Sequence, residues 1–149
     1  MAIRIFEKLG SRTAAIHDLV ETSLAETMNY RNLILGIPTW GIGEMQDDWL
    51  LALPALNDLK LTGKTAALFG LGDQESYPDT FGDAMGKLYD VLGNTGCRII
   101  GRWSTLGYTF EGSKALRGND FVGLLLDEEN QDEQTESRID HWLEKLDFE

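Results

Sequence analysis

Two large aromatic residues lie in glycine-rich segments that each follow an apolar run. Trp40 follows Leu-Ile-Leu-Gly-Ile at 33–37 and is flanked by Gly41 and Gly43. Tyr77 ends a second unit of the same plan, Lys-Thr-Ala-Ala-Leu-Phe-Gly-Leu-Gly-Asp-Gln-Glu-Ser-Tyr at 64–77. Unbroken apolar runs are typical of strands buried on both faces, and loops at the carboxyl ends of neighbouring strands line the ligand crevice of an open α/β sheet. The two side chains are therefore placed to hold a flat ligand between them.

Catalytic and metal-binding chemistry finds no support elsewhere in the sequence. His17 and His141 are in no zinc-type spacing, and we interpret the first as a strand-end residue and the second as an exposed helix residue. The acidic segment 127–134 lacks the alternating ligands and central glycine of an EF-hand, which favours a solvated loop. The lone Cys97 is interpreted as a buried structural thiol. No Gly-x-Ser-x-Gly motif or Cys/His pair is present, so we expect no catalytic residue and no metal.

Apolar periodicity predicts alternating strands and helices that would position the two aromatic loops. Strands are predicted at 13–19, 31–37, 65–69, 98–103 and 121–126, and helices at 21–30, 47–59, 80–92 and from 135 onward. Residues 1–9 fit a helix ending at Gly10 or a short strand, and the helix is favoured. Pro54 predicts a kink or an early end of its helix. This alternation indicates an α/β fold with a mostly parallel sheet.

Length and composition are typical of one globular domain over 1–149. The sequence shows no linker, and the polar, glycine-rich segment 104–120 is predicted to be an insertion or binding loop without regular structure. The whole sequence has no 18-residue apolar run and no signal-peptide pattern, so we expect a cytoplasmic protein without a membrane partner. The net charge of −12 argues against nucleic acid and favours a basic partner.

Four segments in the same order resemble the long-chain flavodoxin family over nearly the whole chain. Leu-Gly-Ile-Pro-Thr-Trp-Gly-Ile-Gly-Glu at 35–44 resembles the first flavin loop of the family, and Ala-Leu-Phe-Gly-Leu-Gly-Asp-Gln-Glu-Ser-Tyr-Pro at 67–78 resembles the second. Gly-Arg-Trp-Ser-Thr-Leu-Gly-Tyr-Thr-Phe at 101–110 resembles the start of the long-chain insertion. Phe-Val-Gly-Leu-Leu-Leu-Asp at 121–127 resembles its return strand. Together these segments are specific, although Pro-Thr-Trp alone would be weak.

The resemblance implies a flavodoxin-like three-layer sandwich with sheet order 2-1-3-4-5. It also implies non-covalent binding of FMN and single-electron transfer at low potential, by a carrier that is not an enzyme. Trp40 and Tyr77 would stack on opposite faces of the isoalloxazine ring. Backbone groups of the two loops would hold its polar edge, around Thr39, Gly41, Gly72, Asp73 and Gln74. Glu44 and Asp73 would disfavour an anionic reduced flavin, and basic redox proteins such as a flavodoxin reductase would be the partners.

The same resemblance leaves the start of the family pattern unmatched. Residues 1–10 match the first helix of the family, so the first, central strand and the phosphate loop of type Thr/Ser-x-Thr-Gly-x-Thr are missing. A second register would place residues 2–6 in that strand and Gly10-Ser11 at the loop. The open edge of 32–37 could be closed by strand 13–19, which is favoured, by a homodimer through the exposed edge, or by an N-terminal segment refolded as a strand.

Two functions of different classes follow from this pattern. The first is an FMN-dependent electron carrier with Trp40 and Tyr77 at the flavin. The second is an N-terminally shortened relative that binds FMN weakly or not at all and acts as a protein-binding domain. A third interpretation is that the chain starts at an internal methionine of an ordinary flavodoxin.

Overall fold

A computed structural model, which describes residues 1–148, shows a parallel sheet between two layers of helices. The helices are α1 (Ala2–Leu9), α2 (Asp47–Asp58), α3 (Asp83–Gly93) and α4 (Thr135–Lys145). The strands are β1 (Asn32–Trp40), β2 (Glu44–Met45), β3 (Thr65–Leu71), β4 (Arg98–Ile100), β5 (Trp103–Ser104), β6 (Leu116–Arg117), β7 (Asp120–Phe121) and β8 (Leu124–Leu126). Three 3-10 helices cover Leu24–Asn29, Pro78–Thr80 and Asp132–Gln134.

The centre of the sheet is β3, which pairs in parallel on both of its edges. On one edge it runs alongside β1, with Asn32 opposite Thr65 and Pro38 opposite Leu71. On the other edge β4 pairs with the first half of β3 and β8 with the second half. One strand position is therefore shared by two short strands, and the chain leaves the sheet between them. The predicted α/β fold with a mostly parallel sheet is confirmed.

Alternate residues of the strands face two separate cores. Leu33 and Leu68 belong to a core that α2 and α3 cover, whereas Ala67 and Phe69 belong to a core that α1 and α4 cover. The residues of β3 from Thr65 to Gly70 are all buried, as expected for a strand enclosed by two helical layers. This packing gives the three-layer arrangement that the sequence predicts.

The segment that leaves the sheet is more ordered than its composition predicts. Residues 104–120 contribute to a small antiparallel sheet in the order β5-β7-β6, so the expectation of no regular structure is wrong. Phe81, Tyr108, Phe110 and Phe121 form an aromatic cluster with ring centroids 5.2–6.0 Å apart. The aromatic residues in the polar segment anchor it to the main core, a role that a count of polar residues does not reveal.

The first ten residues form the predicted helix. In α1, Ile5 is buried against the core beneath α4, and Arg4 and Lys8 form ion pairs with Glu128, Glu136 and Asp140. The alternative strand at 2–6 is therefore wrong. The nearest of these contacts joins Lys8 Nζ to Asp140 Oδ1, and this bond raises the pKa of Lys8, with the Glu136 contact adding to the effect.

Residues 13–19 do not form the predicted strand. Ala15, Ile16 and His17 are exposed, and His17 Nε2 lies 2.7 Å from the hydroxyl of Tyr30. The short apolar pattern therefore finds no sheet neighbour, and His17 is not a strand-end residue. The helix predicted at 21–30 is a 3-10 helix, and Ser23 Oγ accepts a bond from the N–H of Ala25 at its start.

The edge of β1 that faces away from β3 has no pairing strand between Asn32 and Pro38 within residues 1–148. The N–H of Thr65 donates to the carbonyl of Arg31, so even-numbered residues of β1 direct their backbone groups to the outer edge. The closure by 13–19 is wrong, and within residues 1–148 no N-terminal strand takes its place. Pro38 fits inside the strand because its absent N–H would face this edge, so the predicted stop before Pro38 is also wrong.

The helices that pack on the sheet largely follow their predictions. α2 continues through Pro54, whose ring is exposed on the outer side. Of the two predicted effects of Pro54, the early end of the helix is therefore wrong. α3 begins three residues later than predicted, because Pro78–Thr80 forms its own 3-10 helix and Gly82 adopts a left-handed conformation with φ of 70°. His141 is exposed on α4, as expected.

Candidate functional site

The first loop turns the chain at the carboxyl end of β1. Gly41 and Gly43 have φ angles of 46° and 76°, a region that L side chains rarely adopt, and they let Glu44 pair back onto Trp40. Gly43 is also buried: a Cβ there would lie 2.8 Å from a carboxylate oxygen of Asp83. The loop conformation therefore depends on glycine at both positions.

The second loop follows β3 at the same edge of the sheet. Asp73 Oδ1 accepts bonds from the N–H groups of Glu75 and Ser76, which form a tight turn before Tyr77. The bond from Ser76 is the main reason that the pKa of Asp73 lies below its ordinary value. Gly72 packs against the ring of Phe81, and a Cβ there would lie 3.0 Å from it. This loop is closely packed and carries an ionised carboxylate.

The two predicted aromatic residues are exposed at the ends of neighbouring strands. Trp40 is 47% and Tyr77 is 41% exposed, which is unusual for large aromatic side chains of a packed domain. Because β1 and β3 are parallel neighbours up to Pro38 and Leu71, the loops that carry the two rings leave the sheet side by side. Neither ring stacks on another aromatic ring of the described chain. Their apolar faces are available to a flat ligand.

The other predicted site residues are partly engaged inside the protein. Thr39 Oγ1 accepts a bond from the N–H of Ala84, and the side chain of Gln74 accepts one from the N–H of Thr109. The N–H of Gly72 donates to the carbonyl of Leu126 at 3.0 Å. The N–H of Gln74 is also used internally, so neither Gly72 nor Gln74 has a backbone N–H free to donate to a ligand.

Sequence reasoning missed two residues that support the second loop, Asp127 and Asn130. Asp127 is completely buried, which corrects its assignment to a solvated acidic loop. Its carboxylate accepts a bond from the N–H of Gln74, and Asn130 Nδ2 donates to both Asp127 and Asp73. The sequence did contain a signal that could have identified Asp127. This residue directly follows a predicted buried strand, at the edge of the sheet where the aromatic loops lie.

An open cavity of about 450 Å³ lies between the second loop and the insertion. Its lining includes Gln74, Pro78, Thr109 and Asn130, but neither Trp40 nor Tyr77. The cavity therefore lies beside the aromatic loops, and the two exposed rings mark a more open surface.

Residues 1–148 contain neither a cluster of metal ligands nor a helix that could span a membrane. Across 1–148, no three His, Cys, Asp or Glu side chains gather in a way that could hold a metal ion. Within the same range, none of the helices combines the length and apolar character needed to cross a membrane. Cys97 is half-buried beside β4, and its thiol faces the carbonyl of Leu92 at 3.8 Å.

The parallel sheet, its two helical layers and the paired aromatic loops define a flavodoxin-like α/β protein. The chain matches the family described as Flavodoxin over residues 1–142. It is 43% identical to a flavodoxin of Nostoc sp. over 142 residues, which span 95% of this chain and 84% of the relative. It is 43% identical to flavodoxin 1 of Escherichia coli over 147 residues, which span 98% and 84% of the two chains.

The solved structures agree with these sequence relationships. The crystal structure of Fusobacterium nucleatum flavodoxin bound to flavin mononucleotide is 33% identical to the chain, with a TM-score of 0.90. The similarity covers 96% of this chain and 85% of that one. The chain belongs to the flavodoxin family, whose members are electron carriers and not enzymes.

Proposed function

We propose that this flavodoxin binds FMN non-covalently and transfers single electrons. The observation that carries the proposal is the pair of exposed rings, Trp40 and Tyr77, on loops at the carboxyl ends of adjacent parallel strands. A flavin ring between them would remove both apolar faces from water, and each aromatic contact contributes about 1 kcal/mol beyond burial. The residues present thus fit the ring of FMN, which the Fusobacterium nucleatum relative binds.

The rest of the ring site is assigned to the two loops. FMN supplies the one-electron chemistry when it is bound. Thr39, Gly41, Gly72, Asp73 and Gln74 provide the backbone groups for the polar edge of the ring. The negative charges of Asp73 and Glu44 disfavour an anionic reduced flavin and so lower its reduction potential.

We assign the chain to the long-chain class, as one domain over 1–149 with its insertion at 104–120. We also propose that residues 1–149 hold FMN by its ring and do not include the first strand and the phosphate loop of the family. The support is that α1 packs as a complete helix against α4, while the segment from Gly10 to Asp18 is a turn and an exposed coil. Charge-assisted bonds to a phosphate are worth about 1.5–3 kcal/mol each, so their absence would weaken binding by orders of magnitude.

A protein-binding domain is the second candidate function. It is favoured by the outer edge of β1, which has free backbone groups, and by the net charge of −12. In either function the acidic surface would steer the chain to basic partners in the cytoplasm, with a flavodoxin reductase as the electron donor or acceptor. We propose further that two copies pair through the edge of β1 only where salt screens their charges.

Titration with FMN and with riboflavin tests the ring site. In Trp40→Ala and Tyr77→Ala we expect each affinity to fall about five- to tenfold, the equivalent of about 1–1.4 kcal/mol. Leu106→Ala, which shortens an apolar side chain that is 85% exposed on the insertion, is the matched control. Equal affinity for the two flavins would support binding by the ring alone. Failure of the wild-type chain to bind either flavin would exclude the electron carrier and leave the protein-binding domain.

A further inference from the structure

Asp127 carries a carboxylate that is wholly enclosed behind the second loop. It follows β8 directly and has no exposed surface. Its Oδ2 accepts a bond from the N–H of Gln74 at 3.0 Å, and its Oδ1 accepts bonds from the N–H groups of Glu129 and Asn130 at 3.2 and 3.1 Å. The side-chain amide of Asn130 adds further bonds at 2.9 and 3.0 Å. A buried carboxylate with this many N–H donors is built into the loop and is not a surface charge.

The same set of bonds fixes the second loop from both ends. The N–H of Gln74 is bound to Asp127, and Asn130 Nδ2 bridges to Asp73 Oδ1 at 2.9 Å. Asp73 in turn binds the N–H groups of Glu75 and Ser76. The loop from 73 to 76 is therefore connected, directly and through Asn130, to Asp127, which lies 53 residues beyond Gln74 in the chain.

Asp127 forms no ion pair with the other residues that the structure describes. Across 1–148, no lysine, arginine or histidine nitrogen lies within 4.0 Å of the Asp127 carboxylate. The buried Arg138 stacks on Tyr108, with its guanidinium carbon 4.1 Å from the ring centroid, and donates to Gln134. Burial reduces the screening of Asp127 by water, so its field extends to the adjacent loop more strongly than that of an exposed carboxylate.

We propose that Asp127 is a positioning residue of the flavin site, which fixes the second loop and adds a negative charge behind it. This proposal rests on the proposed binding of FMN. The bond to Gln74 holds the backbone that leads to Tyr77, and the negative charge of Asp127 disfavours electron gain by a flavin at that loop.

The test compares Asp127→Asn with Asp132→Asn, which removes the same charge from an exposed position nearby. The asparagine amide would oppose one of the N–H donors that now meet a carboxylate oxygen. In the ligand-free protein we expect the amide of Gln74 to exchange with solvent at least tenfold faster in Asp127→Asn, with β3 unchanged. In the FMN-loaded protein we expect a more positive midpoint potential. Asp132→Asn should leave the exchange rate unchanged and move the potential less.

Asn130→Ala separates the effect of loop order from the effect of charge. It also provides a second test of the proposal if Asp127→Asn does not fold. It keeps both carboxylates but removes the bridge between them, so the amides of Glu75 and Ser76 should exchange faster while the potential moves less than in Asp127→Asn. Unchanged exchange at Gln74 in Asp127→Asn, or at Glu75 and Ser76 in Asn130→Ala, would overturn the positioning role. A potential shift no larger than that of Asp132→Asn would overturn the role of the charge. If the wild type binds no flavin, the proposed function fails, but the exchange rates still decide the positioning role.

Discussion

The hydroxyl of Thr39 accepts a hydrogen bond from the backbone N–H of Ala84, across 3.2 Å. Ala84 lies in the first turn of α3, where N–H groups have no partner within the helix. The residue before the helix is Gly82, which has no side chain to cap it. Thr39 therefore caps α3 from the end of β1 and fixes the start of the first loop to a rigid element.

Replacing Thr39 tests this connection in the ligand-free protein. Thr39→Val keeps the shape but removes the acceptor, so we expect the free energy of unfolding to fall by about 1 kcal/mol in urea denaturation. Thr39→Ser keeps the acceptor and should lose less than half as much. An equal loss in both variants would show that the methyl group, not the hydroxyl, matters.

Gly36 provides a second test, because the ring of Phe69 lies directly over it. A Cβ at Gly36 would lie 2.0 Å from the far end of that ring. We expect Gly36→Ala to destabilise the protein by about 1–3 kcal/mol through overpacking, measured by thermal or urea unfolding. Gly93→Ala is the matched control, since a Cβ at the end of α3 meets nothing within 4 Å.

The control should be neutral or stabilising by up to about 1 kcal/mol, because alanine is the better helix former. If Gly36→Ala proved as stable as Gly93→Ala, the ring of Phe69 would have to move aside without loss. In that case the close contact between β1 and β3 would not require glycine.

Long, unbroken signals in the sequence predicted the fold well. The apolar runs of β1 and β3 and the apolar stripes of α3 and α4 identified the layers. The strand predicted at 13–19 was wrong because a short apolar pattern does not specify a neighbouring strand. The sheet within the insertion was missed because its aromatic residues are separated by polar ones.

The candidate site was predicted only in part, for a similar reason. The loop glycines and the exposed aromatic residues follow from local sequence. The burial of Asp127 depends on Gln74, which is 53 residues away. An acidic run contains no sign of which carboxylate turns inward, so this contact required the tertiary structure.

Tyr108 offers a test in alkaline solution. Burial raises its pKa to about 12 from an ordinary value of 10.0, and its hydroxyl donates to the carbonyl of Leu125. The folded chain therefore keeps the proton longer than the unfolded chain does. This contribution to stability is complete below pH 10 and is lost as pH rises toward 12.

The tyrosinate absorbance of the wild type minus that of Tyr108→Phe should show a step near pH 12. The loss of stability between pH 10 and 12 should be smaller in Tyr108→Phe, which cannot ionise there. A step at pH 10 in the difference spectrum would mean that the hydroxyl is open to water and would contradict its burial.

The outer edge of β1 gives the last prediction, which concerns self-association. The N–H groups of Ile34 and Gly36 face this edge, but the carbonyl of Gly36 is taken by Trp49 Nε1 at 3.0 Å and Pro38 has no N–H. Pairing between two copies can therefore use only the stretch from Asn32 to Gly36. It must also overcome the repulsion between two chains of net charge −12.

We expect sedimentation at low salt to show monomers, and dimers to increase as salt screens the charges. Asn32→Pro removes one outward N–H at the first residue of β1, where proline is tolerated, and should lower dimerisation without changing the fold. Asn57→Ala, at an exposed position on α2, is the control. Dimers of equal strength in Asn32→Pro and wild type would place the contact elsewhere, because pairing along β1 requires that backbone group.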